Sequence, residues 1–191
     1  RTSMNRVKNS LGDIAGTDSL SVAQGSLYPL MQALDIPHLD IDLAIGGIDQ
    51  RKIHMKIGRD KLPEIGYDKP PVLHYPLLTS LKGDGTKMSS SKPETMFPLH
   101  ASEETIKNRI EGAYFDPDVI GEYPKGLNEN PVMQIAERFI FGNDQILEVE
   151  RKDKFGGDVT YETFSELYED DIGIGDDEMH PEDIKNAVGE V

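Results

Sequence analysis

The sequence predicts an α/β fold, with a doubly wound parallel sheet followed from about residue 98 by a mostly helical region. Three observations carry that prediction. Two short apolar runs, Ile41 to Ile45 and Val72 to Leu78, have the length of buried parallel strands. Helical periodicities alternate with them, the order expected of a sheet covered by crossover helices. Beyond Pro98 the apolar spacing turns mostly helical.

The elements follow in order. Met4, Val7, Leu11 and Ile14 recur at helical spacing, and Gly16 follows as a stop. A polar link leads to a second helix around Leu27 to Leu34. The run Ile41 to Ile45 closes on Gly46-Gly47, and Asp49 stands where it can cap a helix carrying Ile53, Met55 and Ile57 toward Arg59. Val72 to Leu78 reads as the next strand, interrupted by Pro76, and feeds a glycine-rich loop. Ser102 caps a helix with Glu103 and Glu104 in its first turn and Ile106 and Ile110 on its inner face. Asn130-Pro131 is an N-cap followed by proline at the first helical position, and that helix ends near Gly142. Ile146 to Val149 reads as a short strand, Tyr161 to Tyr168 as a helix, and Pro181 opens a last one. A domain boundary near Phe97-Pro98 divides residues 1–97 from 98–191.

Composition narrows the class. A chain of 191 residues buries an adequate core as one large domain or two small ones. Cysteine is absent, which removes disulfides and cysteine metal sites and fits a cytoplasmic setting. Neither a signal peptide nor an apolar run of membrane-spanning length is present. The chain starts at Arg1 and stops at Val191, each inside a helical pattern, so a fragment is expected. The net charge is −15. Much of the acid lies between Tyr161 and Asp183, where no Lys or Arg occurs. A salty cytoplasm would explain such a surface; an acidic face unrelated to salt would do so equally.

Four groups of residues suggest chemistry. Lys87-Met88-Ser89-Ser90-Ser91 sits between Gly83 and Gly85 and the Lys92-Pro93 pair. Glycines let the backbone approach a polyphosphate, Lys87 and Lys92 supply charge, and serine hydroxyls donate to phosphate oxygens. The same segment also reads as a solvated surface loop. Tyr28, Gln32 and Asp35 are spaced four and three apart, so a helix stacks them on one face, a recognition surface or simply a helix end. Gly46-Gly47 falls where a parallel strand gives way to a helix, the place where open α/β sheets bind ligands, with Gln50 in the following turn. A tight strand–helix turn favours glycine too. His54 reads as a packed or surface histidine.

The stretch Ser26 to Asp35, the stretch Leu43 to Met55 and the loop Lys87 to Ser91, in this order along the chain, resemble the archaeal and eukaryotic type of tyrosyl-tRNA synthetase, a class I family. The resemblance runs from about Met4 to the last residue. It implies the second half of a Rossmann-like catalytic domain with dimerisation contacts, then a mostly helical anticodon-binding domain. It implies L-tyrosine, ATP with Mg²⁺ and tRNA(Tyr) as ligands, a homodimer, and no tightly bound cofactor, metal site or membrane. Asp35 would take the tyrosine phenol, while Tyr28, Gln32 and Gln50 hold the ammonium end. Gly46, Gly47, Lys87, Met88, Ser89, Ser90 and Ser91 would bind ATP, with Lys87, Ser89 and Ser90 serving catalysis.

Where the family usually has a second lysine the loop has Ser90, and Lys92 is placed to compensate. Phe155, His180 and Asp183 would hold the first anticodon base, by stacking and by hydrogen bonds to a guanine edge. As residues alone, Phe155 reads equally as a core plug and His180 as a helix cap. The HIGH-like motif of class I enzymes is missing, so the resemblance implies a carboxyl-terminal part that is inactive alone. A non-catalytic tRNA-binding paralogue and a tryptophanyl relative are the alternatives. The tyrosine-pocket residues beside the loop argue against the first, and the Tyr28, Gln32, Asp35 face against the second.

If the acidity is an adaptation to salt, the urea unfolding midpoint should rise as KCl is raised into the molar range. A midpoint indifferent to salt would leave the acidic surface without that explanation.

Overall fold

Val22–His38 forms helix α1, which extends the predicted Leu27 to Leu34 segment at both ends and contains Pro29 and Pro37. The computed structural model describes residues 22–98, 100–117, 129–170, 172–173 and 178–191. The helical pattern of Met4 to Ile14 lies outside them. The chain divides into two compact units, Arg1–Leu77 and Leu78–Val191.

In the first unit, strand β1 (Ala44–Gly47) pairs in parallel with β2 (Val72–Tyr75), with Ala44 opposite Val72 and Gly47 opposite Tyr75. β1 thus lies later than the predicted Ile41 to Ile45. The Ala44 N–H donates to Pro71 O at 3.1 Å, which fixes where pairing begins. The β2 strand stops at Tyr75, since Pro76 has no N–H to give a ladder. Between the strands runs a composite helix, α2: a 3₁₀ turn Ile48–Gln50, an α turn Arg51–Ile53 and a π-type turn His54–Arg59. Its N-cap is Gly47, without a side-chain cap bond, so Asp49 is not the predicted cap. Asp49 sits inside the first turn, where its charge still suits the helix dipole. α1 packs on α2 through Ala33, Ile53 and Ile57, with Leu30 against them.

The second unit opens with the glycine-rich loop and holds the larger core. Helix α3 (Glu103–Glu111) is capped by Ser102, whose hydroxyl accepts from Thr105 N–H. Helix α4 (Pro131–Ile135) begins at the Asn130 cap and continues through a π-type turn Ala136–Ile140 and a 3₁₀ turn Phe141–Asn143. Strand β3 (Leu147–Val149) pairs antiparallel with β4 (Val159–Tyr161). The β4 strand corrects the predicted start of the next helix. Tyr161 is buried as a strand residue, and helix α5 (Phe164–Glu169) starts only after Thr163. A capping box sets that start: the Thr163 hydroxyl accepts from Glu166 N–H, and the Glu166 carboxylate accepts from Thr163 N–H. The last helix, α6 (Pro181–Glu190), lies against α3.

Met133, Leu147, Leu167 and Ile184 are fully buried together. Leu81 belongs to the same core, and Met88 and Phe97 pack on it. The glycine-rich loop is therefore bound by packing to the helical region, and the compact units part at Leu77, ahead of the boundary read near Phe97-Pro98.

Truncating Leu147, which has no exposed surface, should cost about 2–5 kcal/mol by urea unfolding. Removing the α5 cap with Thr163→Ala should cost about 1 kcal/mol. Equal losses for the two would mean that Leu147 does not fill a tightly packed site in the β3 core.

Candidate functional site

In the first unit two of the sequence-predicted pocket residues, Gln32 and Gln50, meet just beyond the end of β1. α1 carries Tyr28, Gln32 and Asp35; Tyr28 and Asp35 are exposed and Gln32 is half-buried. Gln32 Nε2 donates to Gln50 Oε1 at 2.8 Å, so the two amides meet across the packing of α1 on α2. Gln32 Oε1 is buried and, among the described residues, has no hydrogen-bond partner. A buried acceptor without a donor is costly, and a ligand cation or N–H would satisfy it.

The glycines are required by close packing there. A Cβ on Gly47 would come 2.8 Å from Leu77 Cδ2, and one on Gly46 would come 3.2 Å from His54 Cε1. The tight-turn reading of Gly46-Gly47 is thus realised, and the turn lies at the carboxyl end of a parallel strand.

His54 is buried at 5% exposure and paired, with Nδ1 3.1 Å from Nε2 of His74 on β2. His74 stands opposite Gly46 in the strand register, a placement that no local pattern in the sequence signals. Burial, then the neighbouring His74, holds His54 below the usual imidazole range. Burial, then the Arg51 charge, does the same for His74.

In the second unit the loop around Lys87 is closed by its own hydrogen bonds. Thr79 pairs with Lys87 in antiparallel fashion, Met88 N–H donates to Leu78 O at 2.9 Å, and Ser80 N–H donates to Thr86 O at 2.8 Å. Gly83 turns at φ 63°, and a Cβ there would strike the Tyr114 ring, so only glycine fits. Downstream, buried Thr95 accepts from Ser89 N–H at 3.1 Å and donates to Lys92 O at 2.7 Å. Arg109 of α3 donates to Met96 O at 2.6 Å and to Pro93 O. Lys87, Ser90, Ser91 and Lys92 are exposed, Ser89 and Met88 half-buried. The Ser89 and Ser91 hydroxyls lie 2.9 Å apart. Serine hydroxyls and two lysine side chains thereby lie on one exposed loop, a set that suits a polyanion.

Farther along, Phe155 lies in a short 3₁₀ turn, 39% exposed, with Lys154 Nζ 4.3 Å from its ring centroid. His180 caps α6, its Nδ1 accepting from Glu182 N–H at 3.2 Å, and Asp183 is half-buried in the first turn of that helix. The capping reading of His180 is thus realised, and Phe155 is not a core plug. Among the described residues no cluster of His, Cys, Asp and Glu could hold a metal ion, and no helix is long and apolar enough to cross a membrane.

Residues 3–191 match the class I tRNA synthetases (W and Y), and the chain belongs to that family. Within it, the chain is 42% identical over 98% of its length to a tyrosine–tRNA ligase of Methanopyrus kandleri, and 43% identical over 98% to one of Archaeoglobus fulgidus; it covers 54% of each. It also superposes on the crystal structure of tyrosyl-tRNA synthetase from Archaeoglobus fulgidus complexed with L-tyrosine, at TM-score 0.73 and 41% identity, covering 98% of this chain and 55% of that one. The chain spans about half the length of the relatives it matches.

The histidine pair sets a pH dependence. Both imidazoles are harder to protonate folded than unfolded, so protons favour the unfolded chain. Their contribution is complete above the ordinary value of 6.5 and is lost as pH falls below it toward the lower folded values. The drop in urea midpoint between about pH 7.5 and 5.5 should shrink in His54→Gln and in His74→Gln. An unchanged drop in both variants would place the titration elsewhere.

Proposed function

We propose that this chain is part of a tyrosine–tRNA ligase, which activates L-tyrosine with ATP and transfers the tyrosyl group to tRNA(Tyr). The observation that carries this reading is the meeting of Gln32 with Gln50 beside Gly46-Gly47, where a buried amide oxygen awaits a donor. An amino acid's ammonium is such a donor. In this reading Tyr28, Gln32 and Gln50 hold that end, and Asp35 accepts the phenol hydrogen bond. A site built on such a bond rejects an amino acid that lacks the hydroxyl, since a carboxylate would be left unpaired; tyrosyl-tRNA synthetases are the reference case of this rejection.

Activation is an in-line attack of the tyrosine carboxylate oxygen on the α-phosphorus of ATP. The bond to the bridging oxygen breaks and pyrophosphate leaves with its electron pair; Mg²⁺ arriving with ATP would offset part of its charge. The protein's part is positioning and offsetting charge. Lys87 and Lys92, the Ser89 to Ser91 hydroxyls and nearby backbone N–H groups other than those of Met88 and Ser89 oppose the charge that grows on pyrophosphate. Gly46 and Gly47 would meet the nucleotide through their backbone at the strand end.

Functionally, residues 1–97 would belong to a Rossmann-like catalytic domain even though the loop packs with the helical unit. Residues 98–191 would bind the anticodon, with Phe155 stacking on the first base and Asp183 accepting from its edge. The protein would act as a cytoplasmic homodimer.

Tyrosine-dependent ATP–pyrophosphate exchange, measured on this chain extended to the length of its relatives, tests the reading. Lys87→Ala should lower the exchange rate by about 10²–10³ with the fold intact. Asp35→Ala should weaken tyrosine binding and narrow the preference for tyrosine over phenylalanine. Absence of exchange in a folded, tRNA-binding extended protein would point instead to a non-catalytic RNA binder.

A further inference from the structure

Gln134 is a carboxamide at a core position of α4, 1% exposed, within the apolar run Val132 to Ala136. Burying an amide is costly unless both its donor and its acceptor are used. Here both are used on one residue. Oε1 accepts from Thr79 N–H at 2.8 Å, and Nε2 donates to Thr79 Oγ1 at 3.1 Å. Thr79 is the residue that pairs with Lys87 at the base of the loop, flanked by the Leu78 to Met88 and Ser80 to Thr86 bonds. A methionine would fill the same space without any desolvation cost. What the amide adds is a two-point grip that fixes both the position and the rotation of the Thr79 peptide.

We propose that Gln134 is a positioning residue for Lys87, holding the loop base in register from inside the helical core so that the ammonium group starts from a fixed point. Thr95 and Arg109 hold the downstream arm of the loop by Ser89, Lys92, Pro93 and Met96. Gln134 holds the upstream arm, the one opposite the lysine. A loop that works by placing charge gains from such a grip, because misplacement by about 1 Å can cost about 10² in rate. The inference rests on the reading of the Lys87 loop as the ATP-binding segment.

Amide hydrogen exchange by NMR on the chain extended to the length of its relatives, with and without ATP and Mg²⁺, tests it. In Gln134→Met, exchange at Met88 and Thr79 should quicken about tenfold while Leu147 and Ile184 in the core stay at their wild-type rates. ATP protection of Met88 should weaken in parallel. Thr79→Val, which keeps the N–H bond but loses the hydroxyl, should shift Met88 the same way by less, and Thr79→Ser should restore it. The proposal is overturned if Met88 exchange is unchanged in both Gln134→Met and Thr79→Val, or quickens only in step with the core. Should Gln134→Met fail to fold, Thr79→Val decides by the same comparison. If ATP leaves wild-type Met88 unprotected, the ATP-binding reading of the loop falls, while the nucleotide-free exchange rates still decide whether Gln134 positions it.

Discussion

The parallel pairing of Ala44–Gly47 with Val72–Tyr75 is the constraint on which the first unit depends. Parallel neighbours need a crossover, and α2 supplies it within the residues between the strands. Once that register is set, Gly46 lies beside His74 and Gly47 beside Tyr75. Gln50 then follows one turn into the helix, close enough to meet Gln32 on α1. A slip of one residue would exchange the inward and outward faces of the strand that shifts and separate these pairs. The tightness of the Gly46-Gly47 turn, the burial of the histidines and the buried amide oxygen are consequences of one ladder.

The second unit solves a different problem, that of presenting a polar loop from an apolar core. Glycines at positive φ bend the loop, and its exposed lysines and serines give it no packing of their own. Order comes from three side chains at its base, Gln134, Thr95 and Arg109, and from Leu81, Met88 and Phe97 lying on the core. Each hydrogen bond is worth only about 0.5–1.5 kcal/mol net, yet leaving any of the buried partners unpaired would cost more. Directional bonds at the base thus permit an exposed and charged rim.

Part of the acidity has local structural work. Glu166 closes the α5 capping box, Asp158 accepts from Arg151 N–H at 2.8 Å, and Asp170 accepts from the buried Tyr161 hydroxyl. Burial, then that Asp170 bond, pushes the Tyr161 phenol well above its ordinary range. Glu182 and Asp183 occupy the first turn of α6, where the helix dipole favours negative charge. These carboxylates sit where backbone donors or helix ends need them, whatever the salt around the protein.

Local grammar was enough to read much of the chain. The caps at Ser102 and Asn130, the strand at Leu147–Val149, the helix from Pro181 and the Gly46-Gly47 turn all follow from signals a few residues long, because capping, φ freedom and periodicity act within one turn. The Lys87 loop and the Tyr28, Gln32, Asp35 face were legible for the same reason: their residue types and spacing are local facts. β4 was not, since Val159–Tyr161 is a strand only because Leu147–Val149 lies beside it. Nor were the His54–His74 pair, the Gln32–Gln50 bond or the hold of Gln134 on Thr79, whose partners stand 20, 18 and 55 residues apart. The lone amide in the apolar run around Gln134 was the one sequence trace of that last bond. The sequence by itself determined which residues carry donors, acceptors and charge. The tertiary structure decided which of them meet, because hydrogen bonds of under 3.5 Å between distant residues exist only where packing has already brought their backbones together.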